Sequence, residues 1–504
     1  MSLAEKPASR YRANPSVLTA LRSPRMLTRE ALAGLVVALA LIPEAIAFSV
    51  VAGVDPRVGL FSSFVMAVSI SFLGGRPAMI SAATGAVSLV VAPVAREHGI
   101  DYLIATVILA GIFQIIMGVS GVAKLMRFIP RSVMLGFVNS LAILMFISQL
   151  PQLIGVTWVV YPLVAAGILI LVFMPRITKV VPAPLIAVIV LTLVTVFFSL
   201  KVPTVGDEGE LPHSLPSVFI PNIPLTWETF TIIAPFALAM ALVGLLESLL
   251  TAKLVDDITD THSRKTREAW GQGVSNMLSG FLGGMGGCAV IGQTMMNVKV
   301  SGARTRISTF LAGVFLLVLV VVLGDFVAVI PMAALVAVMM MVCVATVNWH
   351  SVRWSTIKRM PKSETLVMFT TLIVVVITHN LAIGVIVGVL VAMVAFARRV
   401  AHFVTVERTL PEGENVPTAH YAVVGELFFA SSNDLTTQFE YTADPDRIVI
   451  DMEHARVWDA STVAALDSVT NKYERLGKRA IIIGLDDASA AMRARLSGNL
   501  GDDL

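Results

Sequence analysis

SGFLGGMGGCAVIGQTMMNVKVSGARTR, residues Ser279–Arg306, is the stretch that decides the fold. It lies inside a long series of apolar segments, yet it opens with five glycines between Gly280 and Gly287. Cys288-Ala289-Val290-Ile291, four residues suited to an extended strand, come next, and only then does a helical pattern resume. Irregular backbone persists at membrane depth only where protein buries it or where it lines a cavity, because each unpaired polar group in hydrocarbon is costly. The stretch is therefore expected to be a broken span and one half of a binding site.

Composition fixes its surroundings. The chain has 504 residues, 56% of them hydrophobic and 14% charged, with a mean hydropathy of +0.83. Apolar segments approaching the roughly 20 residues needed to cross a bilayer recur along it, so a polytopic α-helical membrane protein is expected. The net charge is only +3, and no nucleic-acid partner is expected. Cys288 and Cys343 are the only cysteines and both sit in apolar spans, which implies no disulfide framework and no metal site. The polar start, Met1 to Arg29, leads straight into a span and does not read as a cleavable signal.

Apolar length, with breaks at charge, Gly and Pro clusters, places fourteen spans near 30–52, 58–74, 78–95, 101–122, 131–150, 157–174, 182–200, 228–253, 268–285, 288–302, 305–325, 328–347, 364–378 and 381–397. With both termini cytoplasmic, and leaving out the C-terminal domain, 25 Lys and Arg fall on the inner side, among them Lys6, Arg10, Arg12, Arg25, Arg29, Arg76, Lys124, Arg127 and Lys179. Only Arg57, Arg96 and Lys201 fall on the outer side. That asymmetry obeys the positive-inside rule. The chain thus divides into a cytoplasmic segment 1–29, a first half 30–200, an outer connection 201–227 rich in proline, a second half 228–399 and a soluble domain 404–504.

The halves echo one another. Glu44 in span one follows Ala38-Leu39 at the offset at which Glu247 in span eight follows Ala241-Leu242. Span three, like the opening stretch, begins abnormally: Gly74-Gly75-Arg76-Pro77, a strand-like Met79-Ile80-Ser81-Ala82, then a helix opening near Thr84-Gly85. Broken segments at matching places in two halves of seven spans are the signature of an inverted-repeat transporter with a midplane site. Helices opening at Thr84 and near Gln293-Thr294 leave their first N–H groups unpaired and carry partial positive charge, so two of them together favour an anion. Ser81, Thr84, Gly85, Ala86, Gly292, Gln293 and Thr294 are the expected anion contacts, the glycines for close backbone approach and the polar side chains for hydrogen bonds. A carboxylate near the bilayer centre costs at least about 2.5 kcal/mol, so an acid there faces a cavity or carries a proton. Glu44, after the helix breaker Pro43, is read as a proton carrier and Glu247 as a coupling residue, with Na⁺ held by Glu247 and backbone carbonyls as the other reading. No phosphate loop, nucleophile–base pair or cofactor motif is visible, so no enzyme is expected.

After Arg398-Arg399 the composition changes. Strands at 421–430, 447–451 and 480–483 alternate with helices at 462–476 and 489–496, which predicts a small α/β domain. Asp459 or Ser461 can cap the first of these helices.

Asp55-Pro56-Arg57-Val58-Gly59-Leu60-Phe61, Gly286-Gly287-Cys288 through Ile291-Gly292-Gln293, and Ser301-Gly302-Ala303-Arg304-Thr305-Arg306 resemble signatures of the sulfate permease (SulP) family. Relative to the family's Ser-Gly-Gly-Arg-Thr-Arg turn, Val300 is one residue more. The C-terminal domain resembles the STAS module, also found in bacterial anti-sigma-factor antagonists; where those carry Asp-Ser-Ser-Gly with a phosphorylated serine, this chain has Asp459-Ala460-Ser461-Thr462. The resemblance implies a 7+7 inverted repeat, a core of spans 1–4 and 8–11, a gate of spans 5–7 and 12–14, a homodimer, and a secondary transporter of sulfate, bicarbonate, halides or C4-dicarboxylates in the bacterial inner membrane. It also leaves an unnamed cytoplasmic partner for the STAS domain and Asp459 and Ser461 as a regulatory position. A nucleobase:cation symporter of the same fold and a membrane-anchored sensor signalling through the STAS domain are the alternatives.

Overall fold

A computed structural model of the chain describes residues 16–121, 129–177, 182–212, 214–401, 404–411 and 416–498. Lys6, Arg10, Arg12, Lys124, Arg127 and Lys179, assigned above to the inner side, lie outside the described residues, as do the ends of the first and last predicted segments. Two compact units are formed, Met1–Val389 and Leu390–Leu504.

The first unit is helical. In order it holds α1 (Val17–Arg22), α2 (Pro24–Ala52), α3 (Pro56–Leu73), β1 (Ser81–Ala82), α4 (Gly85–His98), α5 (Ile100–Val119), α6 (Arg131–Gln149), α7 (Val160–Ile177), α8 (Ala183–Phe197), α9 (Trp227–Thr259), α10 (Lys265–Phe281), β2 (Cys288–Ala289) and α11 (Ile291–Met295). A π-helical turn, Met296–Val300, extends α11, and α12 (Arg306–Val322), α13 (Gly324–Ala328), α14 (Met332–Thr346), α15 (Trp349–Val352), α16 (Trp354–Arg359), α17 (Lys362–Thr378) and α18 (Leu381–Ala401) complete the helices, with α18 counting in the second unit from Leu390 on. Each of the fourteen predicted apolar segments coincides with one helix or with one strand–helix pair. By length and composition, seven helices among the described residues can cross a membrane, and α8, α12 and α14 are shorter apolar helices. The breaks fall where the chemistry requires: Pro56 starts α3, Gly53 ends α2 in the left-handed conformation, and Gly99 breaks between α4 and α5. Pro43 does not break α2, which runs through it for 29 residues.

Helices α2 to α5 pack with α9, α10 and α12, while α6, α7 and α8 pack with α14 and α17. These groups match the core and gate that the resemblance implies. Small residues set the close approaches: a Cβ on Gly111 would lie 2.6 Å from the Gly273 carbonyl oxygen, and one on Gly273 the same distance from that of Gly111. The connection 201–227 is tied to both groups. The Val205 N–H donates to the Ile330 carbonyl at 2.9 Å, and that of Met332, at the start of α14, donates to Pro203 at 2.9 Å. Farther along, Arg57 Nη1 donates to Glu210 Oε2 at 2.5 Å, Asn222 N to Asp101 Oδ1 at 2.8 Å, and Phe219 N to the Phe281 carbonyl at 2.7 Å.

The second unit contains a four-stranded sheet in the order β3 (Thr405–Thr409), β4 (Thr418–Leu427), β5 (Arg447–Val457) and β6 (Arg479–Ile483). β3 and β4 are antiparallel, whereas β4, β5 and β6 run parallel. Helix α19 (Phe429–Leu435) connects β4 to β5, α20 (Ala460–Arg475) connects β5 to β6, and α21 (Asp487–Leu496) follows β6. The sequence reading missed β3 and α19 and cut β5 short, because the exposed polar positions of these strands mask their period. Asp459 caps α20 through its Oδ1, which accepts from Thr462 N at 3.0 Å, and its other oxygen accepts from Phe429 N at 2.6 Å. Ser461 is an exposed residue inside the helix and takes no part in the cap. Behind the sheet, Asp444 accepts from Arg408 Nε at 2.8 Å and from the hydroxyls of Tyr421 and Tyr473 at 2.7 and 2.5 Å.

Candidate functional site at two opposed helix openings

The two broken segments meet. β1 and β2 pair antiparallel, Ser81 with Ala289 and Ala82 with Cys288, and the Val290 N–H extends the pair by donating to the Ile80 carbonyl at 2.8 Å. A two-stranded sheet inside a helical bundle leaves backbone groups to be satisfied from outside, and the surrounding side chains do so. Ser63 Oγ accepts from Ala83 N, Ser248 Oγ from Ala289 N and Thr294 Oγ1 from Ile80 N, at 3.2, 3.1 and 3.0 Å. Asn297 Nδ2 donates to the Ala78 carbonyl at 2.8 Å, holding Ala78 at a left-handed φ of 61° that a non-glycine residue adopts only at a cost.

Glycine is required at the crossing itself. A Cβ on Gly287 would lie 1.9 Å from the Ala82 carbonyl oxygen, and Gly286 turns through φ 72°. Buried polar groups on α10 brace this turn and the Gly75-Arg76 turn of the other broken segment. Asn276 receives Gly287 N at 2.8 Å, Ser279 receives Gly286 N at 3.3 Å, and Glu268 Oε2 accepts from Gly75 N and Arg76 N at 2.7 and 3.0 Å. Arg76 is buried and pairs with Asp256 at 2.8 Å, so it belongs to the scaffold.

Each strand runs into a helix. Thr84 caps α4, its hydroxyl accepting from Val87 N at 3.4 Å, and the second opening begins at Ile291 after Val290, which has no side chain to cap with. The sequence reading placed this opening two or three residues later, at Gln293-Thr294. Pairing with Ile80 carries the extended chain only to Val290, and the Thr294 N–H already donates to the Val290 carbonyl at 3.0 Å. The first N–H groups, Gly85 and Ala86 on α4 and Ile291, Gly292 and Gln293 on the second helix, have no partner within their own helices. Gly85 is enclosed by Met145 and Phe48, but a Cβ on Gly292 would meet nothing within 4 Å. Gly292 opens onto a cavity of about 920 Å³ that runs past Met295 and Ser301 to Arg25 and Arg29 on α2. Those exposed guanidiniums place positive charge on the cavity wall.

The acids flank the openings, Glu44 reaching across to the second half and Glu247 meeting Cys288 of its own half. Glu44 on α2 is buried, with the Gln293 side chain within hydrogen-bonding reach of its carboxyl. Glu247 on α9 is buried and its Oε2 accepts from Cys288 Sγ at 2.9 Å, while that sulfur lies 3.1 Å from Thr84 Oγ1. Of the expected site residues, Glu44 thus meets Gln293, and Glu247 is linked through Cys288 to Thr84. Ser81 and Thr294 commit their hydroxyls to the scaffold: Ser81 Oγ accepts from Gln272 Nε2 at 2.6 Å, and Thr294 Oγ1 holds Ile80. Asp459 and Ser461 belong to the other unit. The sequence reading missed Cys288 as a member of the site and the polar stripe Glu268, Gln272, Asn276 and Ser279. The stripe's spacings of four, four and three residues are the signal that marks one helix face.

The sulfate permease family model matches residues 27–166 and 157–371, and the STAS domain model matches 410–499. The chain belongs to the sulfate permease family. It is 49% identical over 471 residues to "Putative sulfate transporter YbaR" of Bacillus subtilis, covering 94% of this chain and 97% of that one. It is also 25% identical over 518 residues to the bicarbonate transporter BicA of a Picosynechococcus, covering 92% and 89%. In fold, this sulfate permease family member resembles murine Slc26a9, an anion transporter solved in its inward-facing state, with a TM-score of 0.79 at 15% identity over 96% of this chain and 88% of that one. The transmembrane domain of a cyanobacterial BicA gives a TM-score of 0.64 at 24% identity, covering 73% of this chain and 97% of that one. The family member is thus a multi-pass membrane protein with a STAS domain. Family members are transporters and not enzymes.

Proposed function

We propose that the chain is a secondary active transporter of small anions, sulfate, bicarbonate or C4-dicarboxylates, working by alternating access with a co-transported proton as a homodimer in the bacterial inner membrane. The anion sits between the start of α4 and the start of the helix at Ile291, held by the N–H groups of Gly85, Ala86, Gly292 and Gln293 and by the Thr84 hydroxyl. The observation that carries this reading is Gly292: a helix opening at the crossing of two repeats, with no atom over its α-carbon, at the end of a path that starts at two arginines. Backbone dipoles bind an anion without a fixed countercharge, so the site can also release it. Glu44 and Glu247 carry the proton, which admits an anion to the bilayer centre with its charge offset.

Uptake by proteoliposomes across sulfate, bicarbonate, fumarate and succinate, with and without an inward proton gradient, tests it. Uptake of at least one of these that the gradient stimulates is expected. Uptake driven by Na⁺ and indifferent to pH would replace the proton, and transport of uracil without any anion would overturn the reading.

A further inference from the structure

Thr84, Cys288 and Glu247 form a short chain of hydrogen-bonding groups that joins a buried acid to the mouth of α4. Cys288 Sγ is 2.9 Å from Glu247 Oε2 and 3.1 Å from Thr84 Oγ1, and all three residues are buried. We propose that Cys288 is a positioning residue that transmits the protonation state of Glu247 to the Thr84 hydroxyl, and so couples the proton to the anion. The inference rests on the transport reading above.

The coupling follows from counting donors. While Glu247 is a carboxylate it only accepts, so the Cys288 S–H donates to it. The sulfur's lone pairs then face Thr84, whose O–H donates to the sulfur and is taken away from the mouth. Once Glu247 is protonated, its O–H donates to Cys288 Sγ. The S–H swings to Thr84 Oγ1, whose second lone pair already holds Val87 N. The Thr84 O–H is released towards the first N–H groups of α4, where it donates to a bound anion. The proton stays on Glu247; every bond in the chain reverses direction and no atom is gained or lost. The anion therefore meets one more donor in the protonated state, and by linkage it raises the affinity of Glu247 for its proton.

Among the described residues, no other titratable group is seen in contact with Glu247. The elements packed on α9 are α4, α5, α10, α11 and β2. On α4, Arg96 donates to the Val51 carbonyl and His98 stacks on Tyr102 of α5, while Glu97 is exposed. Asp101 of α5 receives Asn222 N, Glu268 of α10 is held by Gly75, Arg76 and Gln272, and Arg267 donates to Leu73, with Lys265 exposed. On α9 itself, Asp256 pairs with Arg76, and Glu228, Lys253 and Asp257 are exposed. The Cys288 thiol of β2 is the group that meets Glu247.

Two measurements test the relay. Sulfate affinity of the purified full chain, read by isothermal calorimetry at about pH 5.5 and about pH 8, should be about tenfold tighter at the lower pH, within the usual span of allosteric coupling. Cys288→Ala should reduce that ratio to below about twofold, and Cys288→Ser, which restores a donor and an acceptor, should recover it. The second measurement needs no loss of the thiol: the S–H stretching band, with Cys343 as internal reference, should shift with pH in the wild type and stay fixed in Glu247→Gln. A pH ratio in Cys288→Ala equal to wild type, or a Cys288 band that does not move with pH, overturns the relay and leaves the transport reading standing. A wild-type chain whose anion binding ignores pH overturns proton coupling, and the relay with it.

Discussion

Gly287 and Gly292 are five residues apart and should respond oppositely to one methyl group. At Gly287 the new Cβ would sit 1.9 Å from the Ala82 carbonyl oxygen, 2.6 Å from its carbon and 3.0 Å from Ala83 N, all backbone atoms. None can swing aside as a side chain would, so the β1–β2 crossing must separate. Overpacking usually costs about 1–3 kcal/mol, and a clash against paired backbone falls at the upper end. At Gly292 the methyl meets nothing within 4 Å, and the residue's helical backbone suits alanine, which should gain about 0.5–1 kcal/mol. Gly287→Ala should therefore lower the melting temperature of the detergent-purified protein, whereas Gly292→Ala should hold or raise it. In proteoliposomes, however, Gly292→Ala should raise KM for the anion several-fold, because the methyl stands over the N–H groups that the anion must reach. A Gly292→Ala protein with unchanged KM would show that the anion does not approach that backbone. Wild-type melting in Gly287→Ala would refute the crossing geometry.

Glu247→Gln should abolish the stimulation of uptake by an inward proton gradient, and Glu44→Gln should weaken it; full stimulation in either variant removes that residue from the coupling. Arg76→Ala leaves Asp256 buried without its partner and should cost about 3–5 kcal/mol, visible as a large loss of folded yield. Changing both residues to apolar ones should recover much of that yield, and no recovery would mean that Arg76 acts through other contacts. In the STAS unit, burial pushes the Tyr441 hydroxyl up to about 12, and burial together with Asp444 raises Tyr473 and Tyr421 as well. The ordinary tyrosine value is about 10, so these groups favour the folded state fully below about pH 10 and lose that contribution as pH rises through the folded values. Tyrosinate absorbance should show them ionising late and together with loss of the sheet's circular dichroism; ionisation near pH 10 with the sheet intact would sink this account.

The span pattern was legible because glycine, proline and charge interrupt an otherwise apolar chain at each turn, and Gly74-Gly75 and Gly280–Gly287 announced both broken segments. The placement of the acids was legible too, since an unpaired Glu44 or Glu247 in an apolar helix demands a purpose. What did not show was which hydroxyls brace the two strands. Ser81 and Thr294 have the same local chemistry as Thr84, and only Gln272 and Ile80, distant in sequence, claim them. The opening at Ile291 was hidden for the same reason, as its position is fixed by a cross-strand partner more than 200 residues away. Val300 left a visible trace: the π-helical turn Met296–Val300, in which Ser301 N reaches the Met296 carbonyl at 2.9 Å, is the way a helix takes in one additional residue.

The connection 201–227 has a mechanical consequence. Val205 is fastened to the Ile330 carbonyl beside α14, and Glu210 is fastened to Arg57 at the head of α3, with five peptide steps between them. A fully stretched chain advances at most about 3.6 Å per step, so this leash pays out no more than roughly 18 Å. Any stroke that carries one helix group past the other must fit within that length, or else release the Arg57–Glu210 clasp on every cycle.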